Sequence, residues 1–96
     1  MLLCEVALGK MYECYKMTNL SAEKLPVGTQ SAKGCGQTIP DPKKHYYTDD
    51  GVLVPMGLGV NAKLPQSSLL YNEYIVYDTE QIKIKYLLRI EFNYKD

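Results

Sequence analysis

The chain has 96 residues, with 11 acidic and 11 basic side chains and therefore no formal net charge. A chain of this length forms one domain at most, with a modest core, and its charge balance excludes a bulk attraction to nucleic acid or to an anionic membrane. The three cysteines, Cys4, Cys14 and Cys35, are odd in number and widely spaced, which argues against a disulfide framework and a zinc site and fits a reducing compartment such as the cytosol or nucleus.

The first quarter of the chain predicts one strand and one helical turn. Residues 2–9 (LLCEVALG) form a short apolar run that ends in glycine, which is typical of a buried strand, although Leu, Ala and Glu also favour a helix. Glu5 interrupts this run too early for a signal peptide, and no stretch approaches the ~20 apolar residues of a membrane span. Residues 11–24 have no clear period, and only a helical turn at residues 21–24, with Ser21 as its N-cap, is predicted there.

The middle of the chain, residues 26–65, predicts loops. It holds all five prolines and six of the seven glycines, a composition that disfavours long regular elements. The single strand predicted here is residues 51–55 (GVLVP), which its proline ends. A loop region this long inside a compact domain is usually functional or disordered.

This region contains residue types that bind phosphate or act in catalysis in other proteins. KGCGQT, residues 33–38, lacks the third glycine of a dinucleotide-binding pattern and the GK[ST] end of a phosphate-binding loop, so it predicts a flexible turn. Cys35 is expected to be exposed, without the basic neighbours that would make it a nucleophile. His45, the single histidine, and the pair Lys43 and Lys44 are expected to be solvated.

The last third of the chain predicts two strands. Residues 69–78 (LLYNEYIVYD) are rich in Tyr, Ile, Leu and Val, and residues 82–94 alternate apolar and polar side chains, which predicts a strand with one buried face. The short polar link between them favours an antiparallel pair, without requiring it. These apolar faces are large for so few covering elements, and a sheet face must pack on another layer. We therefore expect an incomplete single domain, residues 1–96, of the α+β class, mainly antiparallel β, with long Gly/Pro-rich loops.

Glu73 interrupts the apolar face of the first of these strands. Strand alternation places it on the same side as Leu69, Tyr71, Ile75 and Tyr77. An ionised carboxylate on a fully buried face is costly unless it is paired. Two interpretations stay open. In the first, Glu73 has a structural explanation: the face borders solvent, or the carboxylate pairs with a lysine of the neighbouring strand. In the second, the carboxylate lies in a cleft on a rigid element, where it can accept a proton or polarise a hydroxyl.

Five segments occur in the order of a known family. They are EVALGKMYE (5–13), LPVGTQSAKGCGQTIPDP (25–42), DGVLVPMG (50–57), LLYNEYIVYD (69–78) and YLLRIEFNY (86–94). Together they resemble the C-terminal half of the catalytic domain of a DNA-damage-type poly(ADP-ribose) polymerase. The resemblance covers nearly the whole chain and implies a partial ADP-ribosyltransferase fold.

The resemblance implies a function for the parent domain. Members of the family use NAD as substrate, break its nicotinamide–ribose bond, and transfer ADP-ribose to protein side chains and then to earlier ADP-ribose units, with no metal. The transition state resembles an oxocarbenium ion, so the site must stabilise positive charge and position the acceptor. By the resemblance, Glu73 is the glutamate of a His–Tyr–Glu triad, which binds the ribose 2′-hydroxyl and activates the acceptor hydroxyl.

The same resemblance implies an acceptor-side surface. Leu69 and Tyr71 resemble residues that line the acceptor side, and residues 28–37 resemble the loop that borders it. Thr29, Gln30 and Cys35 depart from the pattern expected in that loop, so no single loop residue is assigned as a contact.

The remaining expectations concern partners and place. The family's triad histidine and tyrosine, and its residues that bind nicotinamide and adenosine, belong to motifs upstream of EVALG, so we expect the cofactor-binding residues upstream of Met1 and an inactive isolated chain. The resemblance implies protein and ADP-ribose acceptors, a nuclear location, and no direct contact of this segment with nucleic acid or membrane. The alternative is a non-catalytic truncated product that acts as a β-rich interaction module, because uncovered apolar strands favour association.

Overall fold

Short β-strands dominate the computed structural model, which describes residues 1–16 and 21–93. The strands are β1 Leu2–Val6, β2 Met11–Cys14, β3 Ser31–Gly34, β4 Thr38–Pro40, β5 His45–Tyr47, β6 Leu53–Pro55, β7 Gly59–Asn61, β8 Glu73–Val76 and β9 Ile82–Leu87. Single 3₁₀ turns at Ala22–Lys24, Pro42–Lys44 and Thr79–Gln81 are the helices of the described residues. None of them is long or apolar enough to cross a membrane. The predicted class, mainly antiparallel β with long loops, is confirmed.

The strands form four small sheets. β3 is the centre of a three-stranded sheet, in which it runs parallel to β2 and antiparallel to β8. The other sheets are antiparallel pairs of β1 with β9, β4 with β7, and β5 with β6. A β-strand pattern in the sequence does not specify which of these strands pair with each other.

The antiparallel pair favoured for residues 69–78 and 82–94 is wrong, since β8 pairs with β3 and β9 pairs with β1. The link between them is a 3₁₀ turn whose N-cap, Asp78, accepts a hydrogen bond from the backbone of Glu80 at 2.9 Å. Gln81 at the end of this turn binds Ala7, accepting the Ala7 backbone N–H at 2.8 Å and donating its side-chain amide to the Ala7 carbonyl at 2.9 Å. The turn therefore directs the chain towards β1 instead of back along β8.

Several predicted boundaries also change. The strand expected at residues 69–78 begins only at Glu73, and the strand expected at 82–94 ends at Leu87, with residue 94 outside the described residues. Ser21 lies at the N-cap position of the predicted helical turn but makes no side-chain cap bond. β2, β3, β4, β5 and β7 were not predicted, because strands of three or four residues are too short to show a period of two.

The buried core is small. The buried side chains among the described residues are Ser31, Ala32, Cys35, Ser67 and Leu69. The radius of gyration is 15.1 Å, against roughly 12.5 Å for a compact domain of this length. The accessible surface is 8224 Å², roughly 2,600 Å² more than a compact monomer of this mass exposes. The chain therefore leaves an unusually large part of its surface open.

The two-stranded β1–β9 ribbon contributes to that open surface. Register pairs Cys4 with Ile84 and Val6 with Ile82, which gathers these four side chains into one apolar patch, called here the ribbon face. The opposite face is charged: the Lys85 ammonium lies 3.6 Å from a carboxylate oxygen of Glu5. Ile84 is 61% exposed, so the expected burial of β1 and of the apolar face of β9 is wrong for this chain. The alternating sequence places apolar side chains together on the ribbon face, and no described element covers that face.

Candidate functional site

Glu73 is the first residue of β8, and its position follows from the three-stranded sheet. Register places Cys14, Gly34 and Glu73 in one row across β2, β3 and β8, so the side chains of Cys14 and Glu73 lie on the same face. A Cβ built on Gly34 would lie 3.5 Å from the Cβ of Glu73. The absence of a side chain on Gly34 therefore makes room for the Leu69 side chain beside Glu73.

The structure places Glu73 at the solvent-exposed end of this row. The ion pair expected under one interpretation is not found in residues 1–16 and 21–93; the nearest cross-strand lysine, Lys33, instead holds its ammonium 5.9 Å from the centre of the Tyr74 ring. Two cavities, of about 490 and 820 Å³, open elsewhere on the chain, and Glu73 lines neither. The cleft expected over Glu73 is thus not one of these two cavities, and what the described residues supply is an exposed carboxylate on a fixed strand.

The two predicted acceptor-side residues differ in exposure. Leu69 is 9% exposed, and its Cδ1 would lie 2.6 Å from a Cβ on Gly34, so it packs over the same glycine as Glu73. Tyr71 is 65% exposed and forms an isolated parallel bridge with Thr38. The structure therefore brings Leu69 and Glu73 together at Gly34 and leaves the Tyr71 side chain exposed.

The segment after β3 is held in place, and the flexible turn predicted for residues 33–38 is wrong. A Cβ on Gly36 would lie only 2.2 Å from the carbonyl carbon of Tyr71, so only glycine fits against that backbone. The Gly36 N–H donates to the side-chain oxygen of Asn72 at 2.9 Å. The two glycines of KGCG thus have different roles: Gly34 makes room for the Leu69 side chain beside Glu73, and Gly36 allows the close approach of two backbone segments.

Cys35, between those glycines, is 5% exposed, so the expectation of an exposed thiol is also wrong. Burial and the negative charge of Glu13 raise the pKa of the Cys35 thiol. Cys35 in turn raises the pKa of Tyr15, with a further contribution from Glu13, whose carboxylate accepts a hydrogen bond from the Tyr15 hydroxyl at 3.5 Å. A raised pKa disfavours the thiolate, in line with the expectation that Cys35 is not a nucleophile.

Sequence reasoning missed Ser67, one of the two buried polar residues of the described chain. Its hydroxyl donates to the Cys35 carbonyl and accepts the backbone N–H of Leu69 at 3.1 Å. A serine before an apolar run usually indicates a turn or a cap, and nothing in the sequence distinguishes it from one buried between two distant segments.

The single histidine lies outside this site. His45 begins β5, is half-buried, and its Nδ1 is buried with no hydrogen-bond partner in the described part of the chain, so its expected solvation is wrong. Within residues 1–16 and 21–93, no group of three His, Cys, Asp or Glu side chains is placed to hold a metal ion.

Comparison with known proteins identifies relatives for nearly all of the chain. Residues 1–92 match the family model described as poly(ADP-ribose) polymerase catalytic domain. The chain is 48% identical over 95 residues to Poly [ADP-ribose] polymerase 2 of Arabidopsis thaliana, and 52% identical over 94 residues to Poly [ADP-ribose] polymerase 1 of Xenopus laevis. Poly [ADP-ribose] polymerase of Drosophila melanogaster is 50% identical over 94 residues. These matches cover 98–99% of the chain but only 9–15% of each relative's length. The resemblance identified from the five sequence segments is confirmed.

Proposed function

The chain belongs to the poly(ADP-ribose) polymerase catalytic-domain family, and from this premise we propose that it contributes the catalytic glutamate, Glu73, of an NAD-dependent ADP-ribosyltransferase. In the proposed reaction the bond between nicotinamide and the ribose C1′ breaks, and nicotinamide leaves with the bonding electron pair. An acceptor oxygen then forms the new bond to C1′ and loses its proton. Positive charge develops on the ribose between these events.

Glu73 suits two tasks in this reaction. Its carboxylate can accept a hydrogen bond from a ribose hydroxyl, and it can accept the proton of the incoming acceptor hydroxyl. Its negative charge also favours the cationic ribose of the transition state. Pairing of β8 with β3 fixes its backbone, and its side chain is exposed, so a sugar can approach the carboxylate from solvent.

The observation that carries this proposal is the family match over residues 1–92, which includes Glu73 and the YNEYIVYD stretch. We place the acceptor on the side of Tyr71, whose exposed ring offers a surface for a protein or an ADP-ribose chain. NAD serves as substrate and no metal takes part in the proposed reaction.

We further propose that the NAD-binding residues lie outside these 96 residues and that the chain alone is inactive. Glu73 is exposed and lines neither of the two cavities, whereas transfer to an acceptor in place of water requires a site that excludes water. We also propose a nuclear location for the parent protein, which imaging of a fluorescent fusion in cells checks directly.

The test uses labelled NAD and two proteins: the isolated chain, and a chimera in which this chain replaces the aligned segment of the Xenopus laevis relative. We expect no labelling by the isolated chain and labelled polymer from the chimera. Glu73→Gln in the chimera should lower polymer elongation by about 10²–10⁴-fold, the range for loss of a general base.

The matched control is Glu80→Gln, which removes an exposed carboxylate from the Thr79–Gln81 turn and should leave elongation unchanged. Equal elongation by the Glu73→Gln and parent chimeras contradicts the assignment of Glu73. Labelling by the isolated chain contradicts only the proposal that it is inactive.

A second candidate function is that of a non-catalytic interaction module. The observation that favours it is the exposed ribbon face, since contiguous apolar surface of this kind marks interaction sites. Sedimentation of the purified chain and the activity of the chimera together separate the two candidates. A discrete stable oligomer of the chain, with no NAD-dependent activity in the chimera, supports the interaction module. Polymer formation by the chimera supports the transferase.

A further inference from the structure

Ser67 joins two segments of the chain that lie far apart in sequence. Its side chain is 4% exposed, and buried hydroxyls are almost always hydrogen-bonded. The Ser67 hydroxyl donates to the carbonyl of Cys35 and accepts the N–H of Leu69 at 3.1 Å. The Gln37 side-chain amide donates to the Ser67 carbonyl at 2.8 Å. Ser67 therefore fixes the segment that follows β3 against the segment that precedes β8.

The same two segments are bonded along their length, and together they form what we call the seam, residues 35–38 with 67–72. The Gln37 N–H donates to the Leu69 carbonyl at 3.0 Å, and the Thr38 N–H donates to the Leu70 carbonyl at 2.9 Å. Ser67 is the buried side chain at one end of the seam, and Glu73 follows directly at the other. The register of the seam thus determines how the chain enters β8.

We propose that Ser67 is a positioning residue for ADP-ribose transfer, whose hydroxyl sets where Leu69 and Glu73 lie relative to the acceptor. This inference rests on the proposed function, in which Glu73 activates the acceptor. Without the hydroxyl, the buried Cys35 carbonyl and Leu69 N–H each lose a partner, and the seam must shift to satisfy them. A shift of about 1 Å is enough to cost on the order of 10²-fold in a reaction that depends on alignment.

A matched pair of substitutions isolates the hydroxyl. Ser67→Thr keeps the hydroxyl, whereas Ser67→Val adds nearly the same volume and lacks it. Both variants are made in the chimera, and two products are measured at saturating NAD: ADP-ribose transferred to an acceptor and free ADP-ribose released to water. The ratio of the two does not depend on how much of the protein is folded, so a purely structural role of Ser67 leaves it unchanged.

We expect Ser67→Val to lower the ratio of transfer to hydrolysis by about tenfold or more, because a displaced Glu73 and Leu69 favour water over the acceptor. Ser67→Thr should stay within about twofold of the parent, as rescue by a hydroxyl at the same place requires. Equal ratios in the Val and Thr variants overturn the inference.

A measurement on the 96-residue chain itself provides the second arm. Hydrogen exchange of the Leu69 amide should be faster in Ser67→Val than in Ser67→Thr, because only the threonine retains the acceptor for that N–H. Equal exchange rates overturn the inference whatever the solubility of the chimeras.

Glu73→Gln, assayed beside these variants, separates the two possible failures. If Glu73→Gln abolishes elongation while Ser67→Val keeps the parental ratio, only the role of Ser67 fails. If Glu73→Gln elongates normally, or the parent chimera makes no polymer, the proposed function fails and the role of Ser67 with it.

Discussion

The seam and the β1–β9 ribbon each join segments that lie far apart in sequence, and they differ in how they are covered. In the seam, Leu69 is buried over Gly34 and two backbone segments meet at Gly36. In the ribbon, Ile84 and its apolar neighbours face outward on an antiparallel pair whose register shifts between Leu3 and Cys4. The comparison teaches that strand formation and burial are separate outcomes: pairing needs only one partner strand, whereas burial needs a second layer.

Gly36→Ala should have the largest effect on this comparison, because it breaks the seam. The added methyl would lie 2.2 Å from the Tyr71 carbonyl carbon and 2.6 Å from the Asn72 nitrogen, and neither backbone atom can rotate away. We expect a loss of about 3 kcal/mol or more in the free energy of unfolding, measured by urea titration. The control is Gly51→Asn, at a left-handed glycine with nothing within 4 Å, where about 1 kcal/mol or less is expected. Similar losses in both variants contradict close contact at Gly36.

The same substitution in each region gives the next largest difference. Leu69→Ala removes a side chain that is 9% exposed and should destabilise the chain by about 2–3 kcal/mol. Leu87→Ala removes one that is 80% exposed from the ribbon and should cost less than about 0.5 kcal/mol. The free energies of unfolding of the two variants test this directly. If Leu87→Ala is the more harmful, the ribbon is buried in solution, by self-association or otherwise.

Ile84→Lys should change association more than stability. The side chain is 61% exposed and central to the ribbon face, so a charge there costs little in the monomer but opposes any apolar contact between chains. We expect a concentration-dependent increase in mass for the parent chain in sedimentation, and a clear reduction of it in Ile84→Lys. Lys83→Gln, on the charged face, is the control and should associate like the parent. Unchanged association in Ile84→Lys assigns the contact to another surface.

The smallest expected effect concerns the titration of Cys35 in the seam. Its pKa is raised above the ordinary thiol value of 9.0 by burial and by Glu13, so the folded chain holds the neutral thiol more strongly than the unfolded chain does. The resulting stability is present below pH 9.0 and is lost as the pH rises through the folded-state pKa. Urea titrations at neutral pH and above pH 9.0 should show a smaller decline for Cys35→Ala than for the parent. Identical declines in the parent and in Cys35→Ala exclude Cys35 as a source of the decline.

Some features of this protein are evident in its sequence. The order of the segments from EVALG to YLLRIEFNY identifies the family, and the composition of residues 26–65 predicts long Gly/Pro-rich loops. The period of two over residues 82–87 is local information, since neighbouring side chains of one strand alternate whatever the strand pairs with. Asp78 followed by Thr79–Gln81 likewise forms its turn from contacts within four residues.

Other features were decided only by the tertiary structure. The pairing of β8 with β3, the burial of Cys35 and Ser67, and the exposure of β9 all depend on residues more than 30 positions away or on the lack of a covering layer. Strands of three or four residues carry no readable period, and a serine or a glycine has the same local propensity in a loop as in the seam. The chemistry of Glu73 is indicated by its sequence neighbours, but Leu69 can pack beside it only because β3 brings a residue without a side chain to the same row of the sheet.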